Sequence, residues 1–389
     1  MTIYLDHQAS TPANQSVIDA MQPFWRDNFG NPHSSEHIVG WNANSSVQNS
    51  KEIISEVLGS EPDEIFFYSG ATEANNHSIF AMSALSRNYP ERKRIIISEI
   101  EHKCVLESSI YWAEKFGLEL CFLKVNKIGM VDLEQLTELL EVPTLYCSIM
   151  YVNNEIGVIQ NVAKIADLLR NAGVLFHSDC AQALKAVDLE NLSEQVDIAT
   201  FSGHKIGGPQ GIGCSFISSE LQDWMLAQIL GGGQQQNLRS GTLALPLVVG
   251  LAEAFRNMSE KDLNDKNKLN LLNKSEFLWE ELKKKNANIE LNGPELNLRH
   301  PGNLNICFPG VLASDLLLSL QPHICASSGS ACSSGSIEPS YVLLALGYST
   351  KHASCSVRFS VGLDTSRIDL KNAANMISKK YKEIYNHKA

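Results

Sequence analysis

A chain of 389 residues, 44% hydrophobic and 19% charged, has an ordinary globular balance and enough length for two domains. Its 32 Lys and Arg against 43 Asp and Glu give a net charge of −11, which removes the electrostatic case for direct nucleic-acid binding. The opening MTIYLDHQASTP lacks the basic and apolar blocks of a signal peptide, and no apolar run reaches membrane-spanning length, so a cytoplasmic protein without membrane contact is expected.

From residue 62 onward, apolar runs alternate with amphipathic stretches. EIFFYS, RIIISEI, LELCFLKV, PTLYCSIMYV, VLFHSD, DIATFS and GCSFIS are rich in aromatic and β-branched residues and read as strands. DLEQLTELL and NVAKIADLLRNAG read as helices between them, the second ending at a glycine stop. This alternation predicts an α/β fold with a mostly parallel sheet flanked by helices. Near residue 255 the pattern changes. SEKDLNDKNKLNLLNKSEFLWEELKKK (259–285) reads as one long, mostly solvated helix, followed by short strands and helices in α+β order. The expected division is a large domain over 15–258 and a smaller α+β domain formed by 1–14 and 259–389. Nine cysteines, none in a Cys-x-x-Cys pair and several in strand-like runs, fit a reduced compartment.

Ligands of parallel α/β sheets bind beyond the carboxyl ends of the strands. The residues just past each predicted strand are therefore informative. Gly70-Ala71-Thr72-Glu73 comes after the first and opens a helix; Glu101-His102-Lys103 comes after the second. Asn153-Asn154-Glu155, Asp179-Cys180-Ala181-Gln182 and Gly203-His204-Lys205 stand at the ends of three others. A Gly-Ala-Thr turn at a helix start offers N–H groups and a hydroxyl to a phosphate. Asp179 suits a cationic ring nitrogen, Lys205 can form a Schiff base, and His102 can stack or shuttle a proton. Those are the requirements of pyridoxal 5′-phosphate. Singly, each residue has a plainer reading: Asp179 as a turn cap, His102 as a satisfied loop histidine, Lys205 as a surface lysine, Arg358 in a structural ion pair. His33-Ser34-Ser35-Glu36-His37 matches H-x-x-E-H in letters, yet it follows a Gly30-Asn31-Pro32 turn and lacks an apolar helix face, so no metal is expected.

The joint pattern resembles the class V, fold-type I pyridoxal-phosphate enzymes, and among them the NifS/IscS-like cysteine desulfurases. Eleven collinear stretches carry the resemblance: YLDHQASTP, FGNPHS, SGATEANN, EHK, YVNNEIG, HSDCAQ, TFSGHK, LGGGQQQNLRSGT, SSGSACSSGS, EPSYVLLALG and VRFSVG. The resemblance implies that Lys205 bonds the cofactor, Asp179 pairs with its ring nitrogen, Gln182 with its phenolate oxygen, and His102 stacks on the ring. Ala71, Thr72, Ser202 and His204 would bind the phosphate. Thr242 would reach the phosphate of a neighbouring subunit, which implies a homodimer. Asn154 and Arg358 would grip the carboxylate of L-cysteine. Cys332, set among small residues, would take the substrate sulfur as a persulfide and carry it to an acceptor, releasing L-alanine.

Rival implications are a selenocysteine lyase or an aminotransferase of the same fold, or a catalytically silent partner-binding scaffold. The chain ends at KKYKEIYNHKA, without the C-terminal extension by which such enzymes dock an iron–sulfur scaffold. The acceptor protein is thus open among iron–sulfur assembly, tRNA thiolation and DNA phosphorothioation.

Overall fold

A computed structural model describes residues 2–328 and 338–388. All seven predicted strands are present: β2 (Ile65–Tyr68), β3 (Arg94–Ser98), β4 (Glu119–Leu123), β5 (Thr144–Ser148), β6 (Leu175–Asp179), β7 (Ile198–Ser202) and β8 (Gly213–Ile217), preceded by a short β1 (Ile3–Tyr4). They form one sheet in the order β2-β8-β7-β6-β5-β3-β4. Neighbours β4, β3, β5, β6 and β7 run parallel, whereas β8 is antiparallel to both β7 and β2. The reversal has a covalent cause. Only residues 203–212 link β7 to β8, fewer than the dozen or so that a parallel crossover needs.

Alternate residues of each strand enter different cores, as the two-residue period of a pleated strand requires. Phe67, Ile96, Cys147, Phe201 and Phe216 pack on one face, against Val17, Val47 and Ile54 among others. Phe66, Ile95, Tyr146, Ile198 and Ile217 pack on the other, against Ile79, Met82 and Val105. Helix Ile38–Leu58 lies against helix Leu245–Ser259, and helix Ala71–Ala84 against helix Lys103–Phe116. Each large side chain buried this way stabilises the fold by roughly 1.5–3 kcal/mol.

A second core lies beyond residue 260. Strands β9 (Glu290–Leu291), β10 (Asn303–Cys307) and β12 (Ser356–Ser360) form an antiparallel sheet, while β11 (Ile324–Cys325) pairs in parallel with β1. The pairing draws the N-terminal stretch into this core, where Leu5 is wholly buried. The long helix, Lys261–Lys285, is less solvated than its composition suggests. Leu271, Leu278 and Leu282 are buried along one face that packs on helix Arg367–Lys388. No helix among the described residues is long and apolar enough to cross a membrane.

Candidate active site

The carboxyl ends of β2, β3, β5, β6 and β7 open onto one cavity of about 520 Å³. Every site residue expected from the sequence lines it except Thr242 and Cys332. Thr242 is exposed, and Cys332 lies outside the described residues. His37 of the zinc-like stretch is the N-cap of helix Ile38–Leu58, with its Nδ1 accepting from the Gly40 N–H at 3.1 Å.

One end of the cavity is built for an anion. After β2 the chain enters helix Ala71–Ala84 with Gly70 at its cap and no capping side chain, so the first helical N–H groups at Ala71 and Thr72 are left to a ligand. The turn is braced from behind. Glu73 Oε2 accepts from the Ser69 N–H at 2.6 Å, and Arg239 Nε donates to Glu73 Oε1 at 2.8 Å. Burial alone would raise the Glu73 carboxyl, but Arg239 and Ser69 hold it below its usual range. Ser202 and His204 line the same cavity. Burial, and then the Lys205 ammonium beside it, pushes His204 down to about 4, so it enters the site as a neutral imidazole at pH 7.

Lys205 closes a single 3₁₀ turn, Gly203–Lys205, directly after β7. Its Nζ donates to the carbonyls of Gln8 at 2.7 Å and Ala9 at 2.8 Å, so the N-terminal stretch forms part of the wall. Asp179 ends β6 and is only 4% exposed. Its Oδ1 accepts from the Ala181 N–H at 2.9 Å and its Oδ2 from Asn75 Nδ2 at 2.8 Å. His102 caps helix Lys103–Phe116, its Nδ1 accepting from the Cys104 N–H at 3.2 Å, with the Cys104 thiol 3.0 Å from the same nitrogen. A ring nitrogen that accepts a backbone N–H is unprotonated, so the neutral ring carries its proton on Nε2. Just before His102, burial raises the Glu101 carboxyl well above its ordinary value, and Glu101 Oε1 accepts from the Met150 N–H at 2.5 Å.

On the remaining wall, Gln182 Nε2 donates to the Gln8 carbonyl at 2.9 Å. Arg358 is nearly buried; its Nη1 donates to the Asn154 carbonyl at 2.9 Å and its Nη2 to Asp6 Oδ1 at 2.7 Å. The ion pair and the cavity position coexist, so the structural reading of Arg358 and the ligand-binding one are compatible. Asn154 Oδ1 and Arg358 Nε are buried without a hydrogen-bond partner among the described residues. Orphaned polar atoms of this kind are uncommon in native proteins, and both belong to residues of the cavity wall. An uncapped helix start, a lysine, a buried carboxylate and these atoms in one cavity form a donor set that fits pyridoxal phosphate.

Four wall or supporting residues carried no assignment from the sequence. Asp6 and Gln8 come from the N-terminal stretch, Asn75 from the inner face of the helix that starts at Ala71, and Cys104 from the helix that His102 caps. A helical reading of SGATEANN places Asn75 one turn from Ala71 and Thr72 but gives it no role.

The family model described as aminotransferase class-V matches residues 3–372. A protein named cysteine desulfurase IscS from Rickettsia rickettsii (strain Iowa) is 38% identical over 388 residues, covering 99% of this chain and 92% of that protein. A solved NifS-like protein superposes with a TM-score of 0.88 at 31% identity, covering 100% of both chains. DndA from Streptomyces lividans superposes with a TM-score of 0.77 at 34% identity, over 90% of this chain and 97% of that one. Both the class-V aminotransferases and the cysteine desulfurases use pyridoxal phosphate. With the match running nearly end to end, the chain belongs to the class-V aminotransferase family and, within it, to the NifS/IscS-like cysteine desulfurases.

Proposed function

We propose that this chain is a pyridoxal-phosphate-dependent cysteine desulfurase: L-cysteine and the Cys332 thiol become L-alanine and a Cys332 persulfide, from which an acceptor protein takes the sulfur. The observation that carries the reading is the convergence of Lys205, Asp179, His102 and the uncapped helix start on one cavity. When bound, the cofactor draws electrons from the substrate's α-carbon, which makes the α-proton and the carbon–sulfur bond labile.

The chain's own residues then have these tasks. Ala71, Thr72, Ser202 and the neutral His204 bind the phosphate by hydrogen bonds. Lys205 would hold the cofactor through its Nζ, and the same amine would hold and return the substrate's α-proton. Asp179 keeps the ring nitrogen protonated. His102 would stack on the ring, with its Nε2–H available to move a proton. Gln182 keeps one N–H for the phenolate oxygen, and Asn154 with Arg358 binds the substrate carboxylate.

Support for Cys332 as sulfur carrier comes from its flanks. Ser327 pairs with Arg358 through two backbone hydrogen bonds of 3.2 and 2.7 Å. On the other side, Ser340 Oγ donates to Glu155 Oε2 at 2.5 Å and Tyr341 Oη to the Glu101 carbonyl at 2.6 Å. Both flanks of the segment that holds Cys332 are therefore fixed beside residues next to the cavity wall.

The reading also includes a homodimer in which Thr242 reaches the partner's phosphate. Trp224, Leu226, Ile229 and Leu230, exposed just ahead of the Thr242 turn, supply apolar surface for that contact. The domain division we propose is 15–258 for the large unit and 1–14 with 259–389 for the small one, in a cytoplasmic protein. Which acceptor takes the sulfur is tested by charging the enzyme with labelled L-cysteine in lysate and identifying the labelled products. Label passing to iron–sulfur scaffold, tRNA-thiolation or DNA-phosphorothioation proteins identifies the pathway. Label that never leaves Cys332 contradicts a transfer role.

A further inference from the structure

The carboxylate facing the cavity is itself held by a residue that does not line it. Asn75 is wholly buried on helix Ala71–Ala84. Its Nδ2 donates to Asp179 Oδ2 at 2.8 Å and lies 3.2 Å from Cys104 Sγ, while its Oδ1 accepts from Thr200 Oγ1 at 2.6 Å. Only one orientation of the amide serves this site. A carboxylate accepts and does not donate, so the nitrogen must face Asp179, and the oxygen is left for the Thr200 hydroxyl. Each partner comes from a different element: Asp179 from the end of β6, Thr200 from β7, Cys104 from the helix that His102 caps.

Asp179 is thereby gripped at both oxygens, by Asn75 and by the Ala181 N–H, and its plane cannot swing. The lone pairs not used by these donors are what it can offer to a ligand. We propose that Asn75 is a positioning residue that aims the Asp179 carboxylate at the ring nitrogen of the cofactor, with Thr200 fixing the amide's orientation. The inference rests on the pyridoxal-phosphate reading above, and it predicts a selectivity and not merely an affinity.

The test measures binding of two compounds to the apoprotein by fluorescence titration: pyridoxal phosphate, and its 1-deaza analogue, in which a C–H replaces the ring nitrogen. Both carry the same aldehyde and phosphate. Wild type should prefer pyridoxal phosphate. Asn75→Ala should lower that affinity roughly tenfold to a hundredfold, the range for losing a hydrogen bond to a charged group, and leave the analogue's affinity within about threefold. Thr200→Val, which keeps the shape and removes the hydroxyl, should shift selectivity the same way by a smaller factor, and Thr200→Ser should restore it. Thr200→Val carries the test should Asn75→Ala not fold. Equal losses for both compounds, or no loss of selectivity in either variant, would overturn the proposal and leave Asn75 a structural residue. A wild type that binds both compounds equally overturns it too. A wild type that binds neither overturns the cofactor reading first, and the proposal with it.

Discussion

Arg358 is held on one side by Asp6, and that pair yields a quantitative prediction. The Nη2 to Oδ1 distance is 2.7 Å, with side-chain exposures of 5% for Arg358 and 17% for Asp6. An exposed ion pair contributes about 0.2–1 kcal/mol, and breaking a fully buried one costs about 3–5 kcal/mol. With the arginine buried and the aspartate mostly so, about 2 kcal/mol is the expected cost of Asp6→Ala, or roughly thirtyfold in an equilibrium constant. Part of that cost is the guanidinium's loss of a fixed orientation; if Arg358 grips the substrate carboxylate, that part falls on binding, and about thirtyfold is its upper limit. The KM for L-cysteine should rise by up to about thirtyfold, with kcat changed by less than about threefold. Initial rates of alanine formation measure this. Cysteamine, which lacks the carboxylate, supplies the control: its affinity, read from the cofactor's absorbance, should be the same in wild type and Asp6→Ala. An unchanged KM, or an equal loss for L-cysteine and cysteamine, would refute the reasoning and leave Arg358 a purely structural cation.

Lys205→Ala should abolish alanine formation, and borohydride reduction of the wild-type holoenzyme should leave the cofactor mass on the peptide holding Lys205; finding it on another lysine contradicts the assignment. His177, fully buried with its Nδ1 2.7 Å from Ser148 Oγ, is pushed down to about 3 by burial. The unfolded chain protonates this group near 6.5, so the folded state's disadvantage grows as pH falls below that value toward 3. His177→Phe removes that titration. Its stability relative to wild type should therefore rise by about 2 kcal/mol between pH 7 and pH 5 in denaturant unfolding. A gap independent of pH would show that the histidine is not held neutral.

The sheet was legible because most of its strands are buried on both faces, so runs such as RIIISEI and DIATFS place apolar residues at both odd and even positions. Strand ends were legible for the same reason: polar residues begin where the runs stop, and in a parallel sheet those ends share one edge. The antiparallel direction of β8 was not drawn from the sequence, although the short link after β7 implies it. Contacts of long sequence separation were not legible. Asp6 meets Arg358 across 352 residues and Gln8 meets Asn303 across 295, because β1 pairs with β11 and carries the N-terminal stretch to the cavity. Nothing in the local pattern of YLDHQASTP announces that pairing. Asn75 escaped for a different reason. Its role is to orient another residue, and a polar side chain on a helix's inner face looks the same in sequence whether it orients a neighbour or merely satisfies the core.

Transfer of sulfur from L-cysteine to Cys332 is the step on which the whole reading depends. Mass spectrometry of the holoenzyme after one equivalent of L-cysteine, with no acceptor present, tests it most directly. One added sulfur atom is expected on the peptide containing Cys332, matched by one equivalent of L-alanine. Cys332→Ala is expected to retain the bound cofactor's colour yet form neither product. Alanine and sulfide produced at the wild-type rate by Cys332→Ala would contradict the transfer.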